Sequence, residues 1–387
     1  MRLSLLARVA SRIVWFALAA AASLLVAVGS ASAAKPLTVC ASGSQFTTIT
    51  DALAAATDGD KITICPGTYS GGFTIDKSVS LSGAGAAETT ISGGEHVVSV
   101  TATASVAIAD VTISGGQELA PFEDYGAGIS NLGTLTLNHT IVSSNNAFLG
   151  GGINNDGALT LRDSTVSGNT ALHAGGILNG GTLTIARSTV SDNSTTGTSA
   201  YGSTGGGILN RSTGTVTLQG STVSGNTALL SGGIHNYGTM TIERSTVSAN
   251  FGAFGPGGIG NDGTLMLRSS TVNGNTGGFE FSGGGISNSG TMTIEHSGIS
   301  GNTTPTAGGG IANGGTMSLR ATTVTANTAD LYGGGIYNGG GTLLLWHSTV
   351  SGNTAGLDGG GIYNVIGTVA LEHSTVSGNI PDDCVGC

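Results

Sequence analysis

Carboxylates are the first candidates for chemistry in this chain, and they are scattered. Asp110, Asp124, Asp156, Asp163, Asp192, Asp262, Asp330 and Asp358 fall in separate segments, whereas glycosidic hydrolysis needs two carboxyl groups facing each other across ~5 to 9.5 Å. The one adjacent pair of aspartates, Asp382 and Asp383, lies in the last turn. His347 and His373 recur beside Glu372, a grouping with metal-binding chemistry, but they read better as exposed turn residues. The glycine-aspartate nonapeptide of calcium-binding β-rolls is missing. No catalytic residue, metal ligand or cofactor is assigned.

Aromatic rings offer a second chemistry, stacking on sugars or docking a partner. Phe148, Phe251, Phe254, Phe279, Phe281 and Tyr332 fall where segment length varies most, and they are the candidate ligand-binding residues. The alternative is that they fold back over the core. Outward threonine pairs in G-T-L-T-L, such as Thr182 and Thr184 or Thr239 and Thr241, form a T-x-T array like the faces of ice-binding proteins, though threonine also simply suits exposed strands. Cys40 and Cys65 are placed to bridge. Cys384 and Cys387 end the chain as C-V-G-C, a terminal clip or a pair of free thiols, since a metal would need two more ligands.

What positions these side chains is a repeat. From Gly126 onward one unit recurs, approximately G-G-G-I-x-N-x-G-T-L-T-L-x-x-S-T-V-S-G-N-T-A, with its isoleucine at Ile129, Ile153, Ile177, Ile208, Ile234, Ile259, Ile286, Ile311, Ile336 and Ile362. Each unit carries three short segments of alternating apolar and polar residues, the period of a strand. Three such strands bury nothing alone, but wound into a coil and stacked they enclose a continuous core. The expected fold is all-β: a single-stranded right-handed parallel β-helix with three strands per coil and about 13 coils, right-handed because parallel crossovers are. Gln45 to Asp58 carries helical spacing and is expected to cap the open N-terminal end.

Columns follow from the repeat. Asn155, Asn179, Asn236 and Asn338 recur after the first strand, and Asn169, Asn193, Asn250 and Asn353 after the third; both sets read as structural ladders of stacked amides. After the second strand the column runs Arg162, Ala186, Gln219, Glu243, Arg268, Glu295, Arg320, Trp346, Glu372, and from Glu243 to Arg320 its sign alternates. Opposite charges ~4.8 Å apart attract, so this column sets register.

Composition narrows the class. Of 387 residues 69 are glycine, but 6 prolines and no glycine triplet period exclude collagen. A 39% hydrophobic content with 9% charged residues argues against disorder. Residues 1–33 read as a secretory signal peptide: three arginines, the apolar run Ile13 to Val28, and Ala31-Ser32-Ala33 for cleavage. No transmembrane segment is expected after cleavage. Residues 34–125 are assigned to the N-terminal cap and first coils, 126–387 to the repetitive coils and a short polar C-terminal cap. A formal charge of −10 makes nucleic acid a poor partner.

The opening QFTTITDALAAATDGDKITICPGTYSGGFTIDKSVSLSGAG resembles the start of pectin lyase-like right-handed β-helix proteins, and the GGGI and VSGN pairs are similar to the repeats of polymorphic outer membrane proteins of bacterial surfaces. The resemblance differs in having Val166, Val190 or Val223 where those repeats carry phenylalanine. It implies a secreted or surface-exposed protein, with the periplasm or outer membrane as further locations. Enzymes of the pectin lyase-like group use clustered aspartates, calcium and a basic residue on polyuronides, a set this sequence does not assemble.

The expected function is a non-catalytic extracellular scaffold, adhesin-like or carbohydrate-binding module whose partners are glycans or cell-surface components. The alternatives are a polysaccharide lyase or hydrolase acting on uronic-acid glycans, and an ice-binding protein. Ile259 tests the interior column: Ile259→Asp buries an unpaired charge and should destabilise the rod by several kcal/mol, read as a large fall in melting temperature.

Overall fold

Alternation decides the local structure. In Thr182–Ala186 the side chains of Leu183 and Ile185 are fully buried while Thr182 is exposed, and the same pattern recurs at Thr239–Glu243 and Thr291–Glu295. A computed structural model describes residues 36–118, 126–197, 203–279 and 282–387. The expected signal peptide, Asp124, Tyr201 and Phe281 lie outside the described residues.

The chain winds as a parallel β-solenoid of about 13 coils with three main sheets, of 14, 13 and 13 strands among the described residues. Each strand pairs in parallel with its equivalent one coil on, so Ile153 meets Ile177 and Val166 meets Val190. One hydrophobic core runs the length of the solenoid, and Ile259 lies fully buried in it. The helix Ile49–Ala55 packs Ile49, Ala52 and Leu53 inward; Thr48 caps it by accepting from the Asp51 N–H, and Lys77 Nζ donates to the carbonyls of Leu53 and Ala56 at 2.9 and 2.8 Å.

The coils differ from a three-strand expectation in one respect. The N-T-A segment after the third strand, read from sequence as a turn, forms a fourth short strand in most later coils, such as Thr227–Ala228 and Thr328–Ala329. Two residues are too few for alternation to be visible in sequence. The strand exists because its neighbours in adjacent coils supply the hydrogen-bonding partners.

Buried polar side chains mark three corners. The amides Asn131, Asn155, Asn179, Asn210, Asn236, Asn261, Asn288, Asn313, Asn338 and Asn364 form one chain, each Nδ2 donating to the next Oδ1 at 2.6–2.9 Å. A second runs from Asn145 through Asn169, Asn193, Asn226, Asn250, Asn275, Asn302, Asn327 and Asn353 to Asn379 at 2.9–3.0 Å. In this second chain each Oδ1 also accepts the backbone N–H of the asparagine one coil before, as Asn250 Oδ1 does from Asn226 at 3.0 Å. The third corner carries hydroxyls: Ser164, Ser188, Ser221 and Ser245 each accept the backbone N–H of the residue one coil earlier at 3.1–3.2 Å. Sequence reading passed over this serine column.

Because all donors point toward the C-terminus, the ladders have unlike ends. The C-terminal tail closes both: Asp383 accepts from Asn379 Nδ2 at 3.0 Å and the Gly386 carbonyl accepts from Asn364 Nδ2 at 2.7 Å. Cys384 packs on the core and bonds to Cys387, while Cys40 bonds to Cys65. Cover of the apolar end is incomplete, since Leu371 is 42% exposed where its counterparts are buried. Replacing Asn250 by leucine orphans the buried Asn226 N–H and removes a donor to the Val223 carbonyl. At about 1–3 kcal/mol per unsatisfied group, Asn250→Leu should lower the denaturation midpoint clearly, whereas the outward Ser248→Ala should leave it within error.

Candidate functional site

The sequence-assigned aromatics do not form one strip. Phe148 is half-buried, its ring 6.1 Å from His173. Phe251 occupies the outward column of the fourth strand, in register with Thr227 and Thr276, and is 44% exposed. Phe254 and Phe279, 41% and 73% exposed, sit on the loops leading into the next floor strands. Tyr332 is half-buried, its ring 4.7 Å from Tyr363.

Tyr363 belongs to a column that sequence reading left unused, the middle residue of I-x-N. In register it runs Leu178, Leu209, His235, Gly260, Ser287, Ala312, Tyr337, Tyr363. These side chains point away from the core, so size alone shapes this surface. Leu178 and Leu209 are covered, packing with Ala174 and Leu149 into a small outer cluster. At Gly260 the outward space is filled by Ser231 Oγ; Ser287 and Ala312 then leave a low floor. Tyr337 and Tyr363 rise beyond it with parallel rings, 6.0 Å apart and 4° from coplanar orientation. Four coil steps separate His235 from Tyr337, about 19 Å.

A recess of about 340 Å³ lies on this floor, lined by Ser287, Ser289, Ala312, Gly314, Tyr337 and Gly339 above the ladder amides Asn288 and Asn313. The Tyr337 ring lies over Gly339, where a Cβ would come within 2.9 Å of it. Burial, then the neighbouring Tyr363 and Tyr332, hold the Tyr337 hydroxyl pKa above the ordinary phenol value, so it stays neutral and able to hydrogen-bond.

The other end of the floor is polar. Ser231 Oγ lies 2.8 Å from His235 Nδ1, and His235 Nε2 lies 2.9 Å from Asp262 Oδ2. An ionised carboxylate can only accept, so Nε2–H donates to Asp262, and Nδ1 shares a second hydrogen bond with the Ser231 hydroxyl. The Tyr237 ring lies 4.3 Å from His235. A Cβ at Gly260 would stand 2.4 Å from Ser231 Oγ, so glycine here leaves room for the hydroxyl.

Serine, histidine and aspartate in this order are the parts of a nucleophile relay. Ser231, however, is fully buried, with its Oγ in the space a Gly260 Cβ would take, so its oxygen does not face solvent. The relay instead holds the partly exposed Asp262 carboxylate at the end of the floor. Sequence reading missed it because Asp262, 27 positions from His235, joins the local Ser231–His235 pair only through coil stacking.

The remaining candidates are separate. His347 and His373 stack 4.9 Å apart on a corner where both adopt positive φ, and no group of three or more metal-ligating side chains occurs among the described residues. The charge column keeps its register, with Arg268 3.3 Å from Glu295 and Arg320 over the Trp346 ring. On the T-x-T face the first threonine column is continuous from Thr182 to Thr368, while the second is broken at Met266, Ser318, Leu344 and Ala370.

No protein-family model and no curated protein sequence matches the chain. Among solved structures it is similar to a pectin methylesterase from Erwinia chrysanthemi (13% identity, 70% of this chain and 80% of that one, TM-score 0.35). It is also similar to the catalytic domain of an α-1,3-glucanase (13%, 89% and 69%, 0.47) and to the A-module of a mannuronan C-5 epimerase from Azotobacter vinelandii (15%, 87% and 92%, 0.39). The similarity is one of coiled architecture. The solenoid itself is consistent with the pectin lyase-like fold that the opening motif resembles.

The relay has a pH signature. The His235 hydrogen bond holds the Asp262 carboxyl below its ordinary pKa, so its stabilisation is present above the unfolded value of ~3.9 and is lost as pH falls through the folded one. The difference in melting temperature between wild type and Asp262→Asn should therefore be present at about pH 5 and shrink at lower pH. A difference that persists undiminished into strong acid would show that it does not come from this ionisation.

Proposed function

We propose that the protein is a secreted or surface-exposed, non-catalytic β-helix scaffold that binds glycan chains along the I-x-N face. The observation that carries this reading is the low floor of Ser287 and Ala312, bordered on one side by the parallel Tyr337 and Tyr363 rings and preceded on the other by Tyr237 and the Asp262 carboxylate. Aromatic faces with polar groups placed beside them suit a ligand that is apolar on its ring faces and hydroxylated at its edges. Tyr332, 4.7 Å from Tyr363, belongs to its rim, and Phe254, Phe279, Phe251 and Phe148 are proposed as further contacts. Two disulfides fit an oxidising compartment. Among the described residues no helix is long and apolar enough to cross a membrane.

The threonine face supports ice binding less well, because its second column is interrupted. Removing two rings that each bury apolar area at ~25 cal/mol per Å² should weaken binding about tenfold or more. Tyr337→Ser combined with Tyr363→Ser is therefore expected to lose retention on a panel of immobilised glycans with its β-type circular dichroism intact. Thr239→Lys with Thr241→Lys, on the T-x-T face, should leave retention unchanged. Release of reducing ends or unsaturated products would replace this reading with an enzymatic one; unaltered retention by the double tyrosine variant would move the site elsewhere.

A further inference from the structure

Resting on the reading of this groove as a glycan site, we infer that its ligand is an uncharged glycan chain and not a polyuronide. Recognition of a row of carboxylates calls for arginine or lysine at the contact, arginine especially because its fork matches both oxygens. The recess lining contains neither: its side chains are serines, ladder asparagines, alanine, glycines and Tyr337. The charged groups bordering the floor are acidic. Asp262 is held ionised by His235 at 2.9 Å, with its side chain 40% exposed. Asp358 pairs in register with Tyr332 on the rim and is exposed, as is Asp330. The cation nearest along the corner column is Arg211, one coil before Tyr237, and it faces Asp156 at 3.7 Å.

A uronate chain laid from Tyr237 to Tyr337 would bring its own carboxylates against the partly desolvated Asp262, where like charges repel more than in bulk water. A neutral chain meets no such cost. Its hydroxyls can donate to Asp262 and exchange hydrogen bonds with Ser287 and Ser289, while its ring faces pack on Tyr337 and Tyr363.

The test is calorimetric titration of the full protein with matched-length gluco-, xylo- and manno-oligosaccharides and with oligogalacturonate, at low and high salt. At least one neutral chain should bind about tenfold or more tightly than oligogalacturonate at low salt. Added salt should narrow the gap by improving uronate binding, because it screens repulsion. Asp262→Asn combined with Asp358→Asn should raise oligogalacturonate affinity. Binding of oligogalacturonate as tight as that of every neutral chain overturns the inference and leaves the glycan site standing; binding of no chain at all overturns the glycan reading itself.

Discussion

Register is the constraint on which this molecule depends. Parallel coils stacked in register place each residue against its counterpart, so a buried asparagine is tolerable only if the next coil carries one too. The two amide ladders meet that condition through ten coils, and in doing so they fix which residue of one coil faces which residue of the next. Their bonds all run one way. The donor ends are closed by Asp383 and the Gly386 carbonyl, and the second ladder begins on the Gly116 N–H, which donates to Asn145 Oδ1 at 2.9 Å. The first ladder begins against Val100, which offers no side-chain donor, and Asn131 Oδ1 is left without a partner there.

With the interior committed to register, the exterior is free to vary column by column. On the I-x-N face that freedom is used as relief: leucines under a loop cover, then a floor of small residues, then tyrosines. The groove is therefore not a separate module. It is a local change in side-chain size along a scaffold whose backbone is nearly constant from coil to coil. Glycines matter at its two ends because rings and hydroxyls there occupy the space a Cβ would take, at Gly339 and at Gly260.

The Ser231, His235 and Asp262 chain shows how the same stacking can assemble familiar catalytic parts to a different end. Its geometry is that of a relay, yet the serine is fully buried. What reaches the groove is an oriented carboxylate, and the sign of that charge bears on the kind of chain the groove accepts.

Spacing alone specifies the coil: the isoleucine period, the inward leucines and valines, the two asparagine columns and the charge column all follow from it, because every coil repeats the same solution and errors in one are corrected by the next. It was silent on whatever arises between coils. The fourth strand was hidden because two residues cannot show a period, and the serine ladder because serine is common at any exposed turn. The aromatic residues were legible as candidates, but not their grouping. Phe148 and Tyr332 are alike in sequence context, and only the fold sets one against His173 and the other against Tyr363. Tyr337, Tyr363, His235 and Asp262 were invisible as a site for the same physical reason: residues 25 to 27 positions apart become neighbours only when parallel strands bring successive coils into contact.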